Sequence, residues 1–292
     1  MDRPLDYLII TDMLTRRLFI RFLLGLPLFP ILPFRAQESL AGPLREERKD
    51  SIGKFFQGEE LLYAIGVWPF GQVALGRLSF KELEQKGQYM ATLQGETLGI
   101  LGWVARYRTD AYRSIMEEVD GGRRLRSYLF EENVKIGSKV RWRTHLFNYS
   151  NRRWIKTRRK KDGTITRSEE IIPQGMVYDD FITASYNFRY GVYGQIERGR
   201  KYRVTTFPKN NITHYEVLVA GKEEEDHRRR SEKAREGKEY FVKLFLDPEI
   251  THSKEGMVEG WLSKELYPIE GRVRDVVLFG DVTGRLIKNT KT

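Results

Sequence analysis

A period of two constrains this chain most. Short stretches in which apolar and polar residues alternate recur at roughly ten-residue spacing, with glycines between them. In Gln88–Gln94, Tyr89, Ala91 and Leu93 share one face while Gln88, Thr92 and Gln94 share the other. Lys139–Tyr149 sets Val140, Trp142 and Leu146 against Arg141, Arg143 and His145, and Lys238–Leu246 aligns Tyr240, Val242, Leu244 and Leu246. Val273–Leu286 reads as two further extended pieces, broken at Gly280 and Gly284. Successive side chains of a strand point to opposite faces, so each stretch offers one face to a core. Many short strands of this kind predict a mainly β fold, a curved antiparallel sheet or half-barrel.

Few segments favour helix. Tyr178-Asp179-Asp180 offers an N-cap; Phe181, Ala184 and Phe188 then follow helical spacing, and Gly191 suits a left-handed C-cap. A helix over Asp179–Tyr190, packed on the concave side of the sheet, is expected. The run Gly221–Gly237 is dense in charge and reads as an exposed loop or a short solvated helix. Asp162-Gly163, between Lys-rich and Thr-rich arms, reads as a two-residue hairpin turn. No repeat of fixed period is visible, which argues against solenoids and propellers.

The N-terminal region carries a different signal. Thr15-Arg16-Arg17-Leu18-Phe19-Ile20-Arg21 precedes an uncharged run of 13 residues, Phe22–Phe34. Arg16, Arg17 and Phe19 in that order resemble a twin-arginine export signal, and Ala41 supplies the small residue before a cleavage site. A bilayer span needs about 20 apolar residues, and Pro27, Pro30 and Pro33 interrupt this run. A buried hairpin or an uncleaved anchor are the competing readings. Asp2, Asp6 and Asp12 stand where such signals are positive, so Met13 reads as the true start. Residues 1–41 thus read as a cleavable signal and 42–54 as a flexible leader, and the protein as periplasmic.

Composition fits an exported, soluble protein that is not a lipoprotein. The chain has no cysteine, which excludes disulfides, a lipid-modified N-terminus, covalent haem and thiolate metal sites. Its net charge is +11, of which +10 falls after residue 41. Between Lys135 and Glu170, 12 basic residues face 3 acidic ones. Such a run in the cytoplasm suggests nucleic acid; outside it, the polyanions at hand are lipid head groups and acidic partners. Arg158, Arg159, Lys160 and Lys161 crowd one hairpin tip and are the expected contact with an anionic surface, unless the tip is simply solvated.

A family resemblance rests on an ordered set of residues. Gly58-Glu59-Glu60-Leu61-Leu62-Tyr63-Ala64-Ile65, then Gly71 and Gly76, resemble the opening of the DUF3108 family of exported bacterial proteins. Asp180, Thr183, Tyr186 and Arg189 are similar to its central pattern, as is a terminal strand after Gly280 and Gly284. The likeness covers residues 55–287 as one β domain. It implies a fold like the lipoprotein-carrier half-barrels and an exported location. Activity is not implied, since the family is named for its unknown function. The charged run Lys222–Glu236 and the basic hairpin depart from the family.

No catalytic constellation is visible. His145, His214, His227 and His252 lack ligand spacing, and there is no nucleophile elbow or phosphate-binding loop. No metal and no cofactor is expected. Asp179 and Asp180 point about 100° apart on a helix and read as caps. Arg189 reads as a ligand clamp or as a last-turn arginine favoured by the helix dipole. Apolar residues at strand connections are the remaining signal: Trp68-Pro69-Phe70, then Leu98–Val104 with Trp103. These either fold back as plugs or, with Tyr107, Tyr186 and Arg189, line an opening to an acyl cavity. The leading expectation is therefore a non-enzymatic binder of a hydrophobic or amphipathic envelope ligand or partner. An assembly module without a small ligand and a glycolipid-modifying enzyme are the alternatives; the only other partner expected is the export machinery.

Overall fold

Fourteen strands form one open, wholly antiparallel sheet. The computed structural model describes residues 50–291, except 99–106, 161, 210–211, 233–236, 247–252, 254 and 277–279. The described residues belong to one compact unit, Arg48–Thr292. Arg16, Arg17, Phe19 and Ala41 of the export signal, together with Trp103 and Lys161, lie outside them.

The sheet is two meanders joined at one seam. The front arm runs β1 (Glu59–Val67), β2 (Gly71–Glu82), β3 (Gln88–Thr97), β4 (Thr109–Val119), β5 (Arg124–Ile136), β6 (Lys139–Asn148), β7 (Arg153–Arg159) and β8 (Ile165–Ile171). The back arm runs β9 (Lys201–Lys209), β10 (Ile212–Val219), β11 (Tyr240–Phe245), β12 (Met257–Leu262), β13 (Pro268–Val276) and β14 (Gly280–Lys291). β1 pairs with β14 from Glu59↔Lys291 to Val67↔Val282, leaving β8 and β9 as free edges. The sheet curls until these edges approach. Phe207 of β9 stacks on His145 of β6 at 4.6 Å and lies 5.6 Å from Trp154 of β7.

Between the arms lies α2 (Phe181–Tyr190). The Asp180 carboxylate accepts from the Ile182 and Thr183 amides at 2.9 and 3.0 Å, and Gly191 closes the helix at φ 91°. The expected helix and both of its caps are therefore present. Its apolar stripe is not the expected one. Ile182, Tyr186 and Tyr190 face the front core, while Ala184 and Phe188 face the back one. A helix buried between two faces needs apolar residues on both sides, so a single-stripe reading sees half of it.

The front core is aromatic. Phe56, Phe80 and Tyr186 meet with centroids 4.8–6.0 Å apart, and Tyr89 stacks on Phe80 at 5.3 Å. Phe56 comes from α1 (Ile52–Phe56), whose Ile52 is also fully buried. This corrects the flexible leader: order begins before residue 55, because α1 covers one end of the core. The domain likewise runs past 287, since β14 continues to Lys291 against β1. Gly284 does not break that strand; it pairs with Ile65 on one side and Gly271 on the other.

Two more expectations change. In β6 the core face belongs to His145 and Phe147, so Arg141 and Arg143 share it while Val140, Trp142 and Leu146 face outward. Phe147, fully buried, sets that parity. The charged run forms a helix, α3 (Lys222–Ser231), which is not simply solvated. Its Glu225 is buried against Arg198 at 2.8 Å, and Arg228 and Arg229 lie over Phe241 and Trp261 at 4.9 Å. No helix among the described residues is long and apolar enough to cross a membrane.

Candidate functional site

Two regions hold the residues singled out by sequence, and they differ in kind. The first is the polar side of α2. Arg189 is buried and makes a two-pronged ion pair with Glu59 of β1, at 2.8 and 2.6 Å, while its Nε donates to the Leu266 carbonyl at 2.9 Å. Phe56, Tyr186 and Tyr267 surround the guanidinium at 4.7–5.4 Å. The expected ligand clamp is thus corrected: each guanidinium nitrogen already has a partner inside the protein, and none faces a cleft. Tyr186 is buried in the same place and not at a cavity mouth.

Asp180 does more than cap. Its Oδ2 accepts from Ser114 of β4, Ser127 of β5 and Thr183, at 2.5, 2.8 and 2.9 Å. Its own amide donates to Ser127 Oγ at 2.8 Å. Burial raises its pKa, and these donors oppose the rise. Asn187 bonds the Leu125 amide and carbonyl at 2.9 and 2.8 Å, completing β5 beyond Leu129, where its ladder with β6 ends. Asp179 accepts from Arg124 at 2.6 Å and from Asn187 and Tyr193 at 3.2 Å. Burial outweighs Arg124 and lifts its pKa to about 6.

The residues behind the family resemblance therefore converge. Glu59, Asp180, Thr183, Tyr186 and Arg189 form one buried strip that ties α2 to β1, β4 and β5. Sequence reasoning missed Ser114, Ser127 and Arg124, which carry no motif of their own.

The second region is a rim. In an antiparallel meander, alternate connections fall at the same end. The β1–β2, β5–β6 and β7–β8 turns and the facing ends of β3 and β4 therefore line one edge of the front arm, with neighbouring hairpins about 10 Å apart. Trp68 and Phe70, in the β1–β2 turn, are 85% and 64% exposed. They do not fold back, which corrects the plug reading for this turn. Tyr107, just before β4, is exposed too, as are Ile136, which sequence reasoning did not single out, and Val140, which it set on the apolar face of its strand. Val140 was legible only through the parity set by Phe147.

The β7–β8 end of the same edge carries cations. Arg158, Arg159 and Lys160 are exposed around the β7–β8 turn. Arg158 stands opposite Arg143 across the β6–β7 ladder, a like-charge pair that costs stability. The turn differs from the expected one: Gly163 N donates to Lys160 O at 3.1 Å, and Lys160 N to Thr164 O at 2.8 Å. Lys160 thus pairs with Thr164, so the connection is longer than the two residues Asp162-Gly163; among its described residues only Gly163 takes positive φ. Asp162 is fixed as an acceptor for the Thr164 amide at 2.9 Å.

The concave side of the sheet, the expected place for an acyl chain, is occupied by α2 and the aromatic cluster of Phe80, Phe130, Phe147, Trp154, Tyr186 and Phe207. Compared with known proteins, the chain matches no family model, no curated protein and no solved structure.

Proposed function

We propose that this is an exported, non-enzymatic module of the cell envelope, similar to DUF3108 proteins, that works by docking its rim on an anionic lipid surface. The rim carries the proposal: exposed Trp68 and Phe70 share one edge with the cations of the β7–β8 hairpin. Aromatic side chains suit the boundary between head groups and acyl chains. Basic residues near an acidic bilayer contribute up to about 1 kcal/mol each. Burying Phe70 adds about 1.5–3 kcal/mol at full insertion. The crowded cations cost the isolated domain stability, and an anionic surface relieves that cost.

An acyl chain held within the sheet is the less favoured form of this reading, because aromatic side chains take up the space it needs. A fluorescent fatty-acid probe separates the two. Surface docking predicts no saturable binding of the free probe, together with salt-sensitive sedimentation on phosphatidylglycerol vesicles and none on phosphatidylcholine. Saturable probe binding without vesicle binding would restore the carrier. Neither kind of binding by the folded protein would leave a protein partner, the assembly-module reading.

A further inference from the structure

The free edge β8 has a pattern that fits itself. Trp154, opposite Glu170, points into the core, so the even residues of β8 share the concave face and the odd residues the outer face. The odd positions read Ile165, Arg167, Glu169 and Ile171. Turned end for end about Ser168, the strand sets Ile165 against Ile171 and Arg167 against Glu169, and each pair occurs twice. Both isoleucines are exposed, at 58% and 60%.

Backbone parity agrees with this register. Ile172 N donates to Arg152 O at 2.9 Å and Lys160 N to Thr164 O at 2.8 Å, so even residues of this arm bond to β7. The N–H and C=O groups of Ile165, Arg167, Glu169 and Ile171 therefore point away from the sheet. In the two-fold register about Ser168, odd residues meet odd residues, as an antiparallel ladder requires. Moving the axis to Arg167 or Glu169 keeps the parity but sets like charges face to face. A one-residue slip puts outward groups opposite inward ones. Charges on an edge strand ordinarily oppose pairing; here the two-fold turns them into attraction.

We propose that the protein forms a two-fold dimer by antiparallel pairing of β8 with β8 of a second copy, centred on Ser168. The interface is isologous and closes on itself. It also sends the two basic hairpin tips to opposite ends, where they do not repel. A pairing of 7 residues is small, so the dimer is reversible and depends on concentration.

Sedimentation velocity of the purified protein over a wide concentration range tests this. A reversible monomer–dimer equilibrium is expected. Glu169→Arg or Arg167→Glu alone should weaken it about tenfold or more, because each substitution places two like-charge pairs across the axis. The double exchange Arg167→Glu with Glu169→Arg should restore it. The chain has no cysteine, so Ser168→Cys adds a unique thiol. On the axis, its Cα lies about 4.5 Å from its twin, within disulfide reach, and mild oxidation should cross-link the dimer. A protein monomeric at every concentration overturns the proposal. So does a dimer indifferent to the single reversals, or Ser168→Cys that stays uncross-linked while folded.

Discussion

The buried strip on α2 and the exposed rim invert the usual placement of side chains. In the strip, charged and polar residues are inside: Glu59, Asp179, Asp180 and Arg189 are each at most 3% exposed. At the rim, Trp68 and Phe70 stand outside, on the edge that carries the exposed cations of the β7–β8 turn at its other end. Most of the strip's polar groups are paired internally, by ion pairs and hydrogen bonds that join α2 to three strands, while Asp179 Oδ1 and the Tyr186 hydroxyl are buried with no hydrogen-bond partner among the described residues. The rim's apolar side chains have little to pack against. Conspicuous polar motifs thus mark the scaffold here, and poorly buried apolar residues mark the surface available for binding. The two regions should answer differently to every perturbation.

The largest response should come from the strip. Arg189→Ala leaves the Glu59 carboxylate buried without its partner, and breaking such a pair costs about 3–5 kcal/mol. Chemical denaturation should register that loss. Four neutralised bases at the β7–β8 tip should change stability by no more than about 0.5 kcal/mol. If Arg189→Ala loses binding to anionic vesicles but keeps its stability, the strip is a site and the contrast fails.

A second response, about as large, depends on pH and compares two groups inside the core. Asp179 rises from 3.8 to about 6, so its folding contribution is greatest in acid and fades as pH rises through 6. His145 falls from 6.5 to about 4, through burial and then Lys156 and Arg143, so its contribution fades as pH falls from 6.5 to 4. It is held neutral as the acceptor for Trp154 Nε1 at 3.2 Å. Each shift is worth about 3 kcal/mol, with opposite sign. Asp180 works in the same direction as Asp179. Relative to the parent protein, His145→Gln should therefore gain stability between pH 7 and about 4.5, and Asp179→Asn should lose it. Melting curves across that range check both signs.

A smaller response belongs to the rim. Replacing Arg158, Arg159, Lys160 and Lys161 with Gln should leave the melting temperature unchanged or slightly raised. It should also remove up to about 1 kcal/mol per base of attraction to acidic vesicles. Increasing salt should imitate the substitution, since exposed charges are screened over about 8–10 Å at physiological ionic strength.

How much of this was legible in the sequence follows from what each signal measures. Alternation revealed the strands because a period of two survives whatever the strands pack against. It did not reveal which face of β6 is inside: Val140, Trp142 and Leu146 look like a core face until Phe147 is placed. Capping chemistry located α2, because Asp180 and Gly191 act within a few residues of themselves. The roles of Glu59 and Arg189 were hidden because their contact spans 130 residues of chain. A separation of 31 residues hid the packing of α3, whose charges look solvated until Glu259 is seen at 2.8 Å from Arg228. Trp68 and Phe70 were legible as unusual, but only the fold tells an exposed tip from a plug.

The most direct measurement of the central claim uses the rim's aromatic tips. Trp68→Ser with Phe70→Ser removes two exposed side chains from a turn and should leave the melting curve in place. Sedimentation with phosphatidylglycerol vesicles, at a salt concentration where the parent protein binds, should show affinity reduced by about tenfold or more. Unchanged vesicle binding by this folded variant, or no binding by the parent protein at low salt, would contradict the account.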